Sequence, residues 1–275
     1  MGYVLAPWVA PLAVDTLKIL IGPLSGAFAG AWAAQGIAKR NADTQRRLEE
    51  LRATNAAVTA ASSIANVCAS LKRQHVQPLV TTYNKLLADI EKARAGRAKQ
   101  PFEFQADLKT LLPFPTALPM LEKLLYDRIS APAGAMGLFT LLGQSLVNLQ
   151  SALDRRNAII LGIGARPVRE SEELAQTYFG LPDKRGHTDS RYPDGMKAIA
   201  LYTDDSILFS YALAHELVGH AKRLAASRKK GFPSAVLLDF KAIEDAGLLP
   251  VVGESEKKLF SALRIEINIP RTPAT

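Results

Sequence analysis

Ile19-Leu-Ile-Gly-Pro-Leu-Ser-Gly-Ala-Phe-Ala-Gly-Ala-Trp-Ala-Ala-Gln-Gly-Ile-Ala38 runs twenty residues without a charge between Lys18 and Lys39, and Gly22, Gly26, Gly30 and Ala34 recur in it at every fourth position. At about 1.5 Å rise per residue a helix of this length covers the roughly 30 Å hydrocarbon core of a bilayer. Four-residue spacing puts the small residues on one helix face, where backbones of neighbouring helices approach closely. The stretch therefore predicts an amino-terminal transmembrane helix that packs against copies of itself. Its large apolar groups are few. Ile19, Leu20, Ile21, Leu24, Phe28 and Ile37 contribute only about −2 to −3.5 kcal/mol to insertion, and Pro23, Ser25, Gln35 and the glycines oppose them. A buried core helix and a membrane-surface or cleaved signal segment are the competing readings.

The signal reading rests on Ala31-Trp32-Ala33, a small-x-small pattern. Against it stand Lys39, Arg40, Arg46, Arg47 and Arg52, a basic cluster of the kind retained on the cytoplasmic side. The charge asymmetry predicts a single-pass protein of the inner (plasma) membrane, with a short tail outside and the bulk of the chain in the cytoplasm. The apolar stretch Met1 to Val14, with Trp8 suited to a headgroup boundary, adds a second membrane contact. A lone cysteine, Cys68, offers no disulfide framework and fits a reducing compartment.

With 275 residues and 48% hydrophobic content, the chain can bury a substantial core, which excludes disorder for most of it. The formal net charge of +8 suits an anionic leaflet, and equally nucleic acid, because both present phosphate to the same side chains.

Asn41 to about Ala95 has few helix breakers and reads as one long helix, or two joined near Pro78. Leu48, Leu51, Asn55 and Val58, then Leu79, Tyr83, Leu86 and Ile90, alternate three and four apart as a packing seam requires. The uncharged middle, Ala53 to Leu71, reads as a core helix or as an intersubunit or pore-facing wall, with a second span as the remaining alternative, which its hydroxyl and amide side chains make costly in lipid. Pro101, Pro113, Pro115 and Pro119 mark a long connection. Further helices are expected over Leu121–Ile129, Met136–Leu161, Val168–Phe179, Ser206–Arg228 (capped by Asp204 or Asp205), Ala235–Ala246 and Ser255–Leu263. The polar stretch Gly180 to Gly195 separates the third and fourth of these. No alternating β-branched run competes and no solenoid-length repeat occurs. The fold class is all-α: a membrane anchor (1–40), a long connecting helix (41–97) and a cytoplasmic helical bundle (98–275).

His215-Glu216-Leu217-Val218-Gly219-His220 approaches a zinc-protease motif, but histidines five apart lie about 140° round a helix from each other, so no metal site or other cofactor is expected. Phosphate-binding glycine loops and nucleophile elbows are missing from the sequence. His75 precedes Pro78, where a surface or helix-kink role is the ordinary one. Basic clusters at Lys222, Arg223, Arg228, Lys229 and Lys230 and at Lys92, Arg94, Arg97 and Lys99 lack the interleaved aromatics of a base-stacking surface. Asp154-Arg155-Arg156-Asn157 makes Arg155, Arg156 and Asn157 a candidate functional polar cluster.

Arg156-Asn157 is similar to the opening of the arginine-to-histidine motif of higher-eukaryote and prokaryote nucleotide-binding helical bundles, some of them antiviral ribonucleases. Leu161, Gly162 and Ile163 stand where the histidine would fall, so the acid-base pair is missing and catalytic residues are not assigned. One span, a basic collar and a helical cytoplasmic domain with this degenerate motif together resemble membrane-anchored helical effectors of prokaryotic antiviral defence, nearest to the pore-forming membrane accessory proteins of type VI-B CRISPR systems. The resemblance implies a homo-oligomer that compromises the inner membrane when activated. Phe28 or Trp32 would then form an apolar gate and Lys39 and Arg40 a basic collar that biases passage to anions. Expected partners are further copies of the chain and anionic lipids of the inner membrane, with a soluble defence protein or nucleic acid as a further candidate. Competing with this are a membrane-tethered scaffold that recruits a soluble partner, and a diverged helical-bundle ribonuclease.

Overall fold

The computed structural model describes residues 9–96, 105–112, 114–164, 171–226 and 233–265, without the side chains of 9–26, 171 and 172. Among the described residues every regular element is helical. α1 is Val9–Leu71, α2 Gln77–Arg94, α3 Leu118–Asp127, α4 Ala133–Gly164, α5 Ser171–Phe179, α6 Arg191–Ala226, α7 Lys241–Asp245 and α8 Glu254–Ala262. The all-α reading therefore holds.

Two units divide the chain, Met1–Glu49 and Glu50–Thr275, and α1 contributes to both. In the first, the described side chains from Ala27 to Glu49 are exposed or half-buried, including Phe28, Trp32 and Ile37. Among the described residues no helix is long and apolar enough to cross a membrane. The expected transmembrane span thus has no support beyond its helical backbone. Gly, Ala, Gln35 and Trp32 fill positions that Leu, Ile or Val would take in a strongly apolar span, so length is not matched by hydropathy.

In the second unit the burial pattern changes at Leu51, which is fully buried. The uncharged middle of α1 belongs to the main core: Ala57, Val58, Ala61, Ile64, Ala65 and Cys68 cluster with Leu138 and Leu142 of α4 and Ile207, Leu208, Ala212 and Leu217 of α6. Alanine and serine are common here because small side chains let helices come close, and α4 and α6 pack against each other along the same core. This overturns the pore-wall expectation for Ala53–Leu71: the segment is covered by its own bundle. Burial pushes the Cys68 thiol up to about 12, which leaves it inert as a nucleophile.

A π-helical turn, Lys72–Val76, joins α1 to α2, and the Gln77 N–H bonds back to the Lys72 carbonyl. Pro78 explains the position. It has no N–H to donate and its ring crowds the carbonyl four residues back, and one wider turn relieves both problems without ending the helix. The turn also directs Lys72, whose Nζ lies 2.7 Å from Asp204 Oδ1 and donates to the Leu248 carbonyl at 3.1 Å.

Asp204 and Asp205 are therefore not helix caps. α6 starts at Arg191, with Pro193 in its first turn, where a missing N–H costs nothing. The start is fixed by Asp189 and Asp194: Arg191 donates Nε and Nη2 to the Asp189 carboxylate at 2.8 and 2.7 Å, and Ser190 Oγ donates to Asp194 Oδ2 at 2.6 Å. The expected helix over Ala235–Ala246 reduces to α7, because residues 233–240 run without helix and are held from α1. Asn55 Nδ2 donates to the Ser234 carbonyl at 3.0 Å, and the Val236 N–H donates to Asn55 Oδ1 at 3.1 Å.

Candidate functional site

The first candidate is the small-residue helix face. Gly22 and Gly26 belong to the stretch of α1 whose surroundings lie outside the described residues. Gly30 has nothing within 4 Å of the position a Cβ would take, and Ala34 is exposed. Phe28 and Trp32, the proposed gate, are 81% and 77% exposed, and Ile37 is 60% exposed. On a helical wheel Phe28 and Trp32 fall roughly 180–220° from the middle of the small-residue stripe. Lys39 and Arg40 are both exposed, as are Arg46, Arg47 and Arg52.

The second candidate, Arg155-Arg156-Asn157, divides by face. Arg155 is exposed and reaches only Ser151 Oγ, 3.2 Å away on its own helix. Arg156 is 1% exposed and donates Nη1 to the Lys109 carbonyl at 2.8 Å and Nη2 to the Asp107 carbonyl at 3.3 Å. Its Cζ sits 5.7 Å from the centre of the Tyr192 ring. Asn157 takes both polar groups of one residue: Nδ2 donates to the Leu111 carbonyl at 2.7 Å and Oδ1 accepts the Leu111 N–H at 3.0 Å. The pair thus holds residues 107–111, a piece of chain outside any helix, against the end of α4. A guanidinium this deeply placed reaches no solvent-borne substrate in this arrangement.

Around Arg156 lies an aromatic cluster that no spacing in the sequence announces. Tyr178 and Tyr192 rings are 4.5 Å apart, Tyr178 and Phe179 4.9 Å, and Tyr83 is 5.6 Å from Tyr178. Burial, reinforced by Tyr192 and Asp194, raises the Tyr83 phenol to about 12, and burial raises that of Tyr178 further. These hydroxyls stay protonated. Beside this cluster α2, the end of α5 and the start of α6 enclose a cleft of about 510 Å³. Tyr83, Phe179 and Met196 form its apolar floor, and Asn84, Asp194 and Lys197 stand at its exposed rim. Gly180 closes one end with φ +64°, and a Cβ there would meet Pro193 Cγ at 2.9 Å.

The histidine pair separates as the five-residue spacing requires. His215 stacks on Tyr211 and Phe240 at 4.5 and 5.6 Å, and burial lowers its pKa despite Glu244 nearby. His220 Nε2 lies 3.3 Å from Glu50 Oε1, which also accepts the Ser130 N–H at 2.9 Å. Among the described residues no three His, Cys, Asp or Glu side chains converge as a metal site would need. His75 is exposed on the π turn. His187 is exposed in the turn after α5, where Asp183 Oδ1 accepts the Arg185 and His187 N–H groups at 2.7 and 2.9 Å, which holds the Asp183 carboxyl below the usual range. Lys92, Arg94, Lys222 and Arg223 are exposed, whereas Arg97, Lys99 and Arg228 to Lys230 lie outside the described residues.

Taken together, fold and site define an all-α bundle preceded along the chain by a helical stretch whose described side chains from Ala27 to Ala38 are uncharged and exposed, with basic residues from Lys39 on. Compared with protein-family models, curated proteins and solved structures, the chain matches none.

Proposed function

We propose that this chain is a homo-oligomeric membrane effector whose amino-terminal helices pack through Gly22, Gly26, Gly30 and Ala34 and enter the inner membrane as an assembly. The observation that carries the reading is the exposed, uncharged helical stretch that includes Phe28, Trp32 and Ile37. A single copy of this helix is too weakly apolar to cross a bilayer. Packing changes the balance, because the glycine face then meets a neighbouring helix in place of lipid, which shields the backbone along that face. Phe28 and Trp32 point away from the packed stripe, toward lipid or toward a lumen they could gate by dewetting. Lys39 and Arg40 follow as a collar that attracts anionic headgroups, each worth about 1 kcal/mol at a charged leaflet. The biological setting, growth arrest in antiviral defence, comes from the architectural resemblance.

A second reading, a membrane-held binding module, is favoured by the cleft between α2, α5 and α6. Dye release from loaded liposomes containing anionic lipid separates the two, because a scaffold leaves the bilayer sealed. Mass photometry of the full chain in mild detergent tests assembly itself. The parent is expected to form a ring of several subunits and the Gly26→Leu, Gly30→Leu double variant a monomer with unchanged helix content. An oligomer unaffected by both substitutions refutes the packing face.

A further inference from the structure

Residues 105–112 cross the end of α4 without entering any helix. Among the described residues, the bonds that hold them address the main chain: Arg156 to the Lys109 and Asp107 carbonyls, Asn157 to the N–H and carbonyl of Leu111, and the Tyr192 hydroxyl to the Asp107 carbonyl at 3.4 Å. The apolar side chains of the segment, Leu111 and in part Ala106 and Leu108, pack into the cluster of Tyr178, Tyr192 and Leu153. Recognition of this kind depends on an extended backbone with apolar residues near alternate positions, and scarcely on the identity of the polar ones.

The fit is incomplete on the receiving side. Among the described residues no carboxylate pairs with Arg156, although the side chain is buried, and its Nε has no acceptor at all. A buried guanidinium served by two carbonyls keeps an unspent donor and an uncompensated charge. Its geometry is made for the two parallel bonds of a carboxylate.

The geometry points to a peptide-binding groove at the end of α4, occupied in this structure by the chain's own residues 105–112, which an extended peptide bearing a carboxylate displaces. The incoming main chain takes over the bonds to Asn157 and Tyr192, its apolar residues enter the pockets of Leu108 and Leu111, and its carboxylate takes Arg156. The internal segment acts as a tethered competitor, so apparent affinity falls in proportion to the fraction of molecules whose groove is open. This inference stands independently of the membrane reading, because no residue of the amino-terminal unit takes part.

The test uses the full chain in detergent and a fluorescein-labelled pentapeptide with the sequence of residues 105–109, whose free carboxyl end falls where the Lys109 carbonyl meets Arg156, followed by fluorescence anisotropy. A Leu108→Ala, Leu111→Ala variant weakens the internal competitor and leaves the groove intact, and it is expected to bind the peptide at least about tenfold more tightly than the parent. The amidated peptide should bind less well, and Arg156→Gln, which removes the charge, added to that variant, should erase the difference between the two peptides. Equal affinity for both peptides, or no binding by the weakened-competitor variant, overturns the proposal. Hydrogen exchange on the parent decides it without any substitution: the Leu111 amide must exchange faster than global unfolding allows, and exchange only with the core amides, such as that of Leu142, overturns a displaceable segment.

Discussion

Asn157→Ala removes the two bonds that fix Leu111, and its cost follows from the geometry. The bonds measure 2.7 and 3.0 Å and serve the N–H and carbonyl of a residue only 9% exposed. A net hydrogen bond contributes about 0.5–1.5 kcal/mol, and a buried donor or acceptor left without a partner costs about 1–3 kcal/mol, so the variant should lose about 2–4 kcal/mol once water reaches part of the site. For a unit the size of residues 50–275 each kcal/mol moves the melting temperature by roughly 2–4 °C, which gives a drop of about 4–16 °C. Thermal melts followed by circular dichroism measure it, with Asn148→Ala as control. Asn148 sits half-buried on the same helix and accepts a bond only from Gln144, so it should shift stability by less than about 0.5 kcal/mol. Asn157→Asp keeps the acceptor for the Leu111 N–H but sets a carboxylate against the Leu111 carbonyl, and should also melt early. An Asn157→Ala protein that melts within about 1 °C of the parent refutes the claim that this side chain holds residues 107–111.

Asp205 has its carboxyl pushed up to about 6, first by burial and then by Glu256 and Asp204. Its folded value lies above the unfolded one, so the folded state binds the extra proton, and the parent gains stability as pH falls from 7 toward 4. Because the group is only half-buried, solvent screening reduces the effect to about 1 kcal/mol. Asp205→Asn should be the more stable protein at pH 7.5 and should flatten the pH slope in urea titrations. A steeper slope would contradict the assignment. Gly180→Ala should destabilise by about 1–3 kcal/mol, because φ is positive and Pro193 stands 2.9 Å from the new Cβ. In contrast Gly143→Ala, inside α4 with nothing within 4 Å, should stabilise by about 0.5–1 kcal/mol, and both are read from melting curves.

Much of the fold was legible because helix periodicity is a local signal. Leu51 and Val58, and beyond Pro78 Leu79, Tyr83 and Ile90, lie on buried faces where three-and-four spacing places them, while Leu48 and Leu86 are half-buried. Boundaries failed where helix propensity competed with turn chemistry. Gly180 to Gly195 reads as one polar loop, yet Arg191-Tyr192-Pro193 begins α6, because the Asp189 carboxylate and Ser190 hydroxyl order its first turn through contacts that a residue count does not display. Over Ala235–Ala246 a helical pattern yields helix only at α7, and the residues before it stay outside a helix, where Asn55, far away in sequence, bonds the Ser234 carbonyl and the Val236 N–H.

The candidate site divides the same way. Composition and spacing alone determined that the chain is all-α, that Ile19–Ala38 is an uncharged run with small residues at every fourth position, and that a basic cluster follows. Each depends on residues within one or two helical turns of one another. Only tertiary structure decided that Ala53–Leu71 is core, that Lys72 meets Asp204, and that Arg156 and Asn157 grip residues 107–111. The physical reason is that their partners are main-chain carbonyls and amides some 46 to 49 positions away, and every residue carries those groups, so no side-chain pattern marks which of them a buried guanidinium will find.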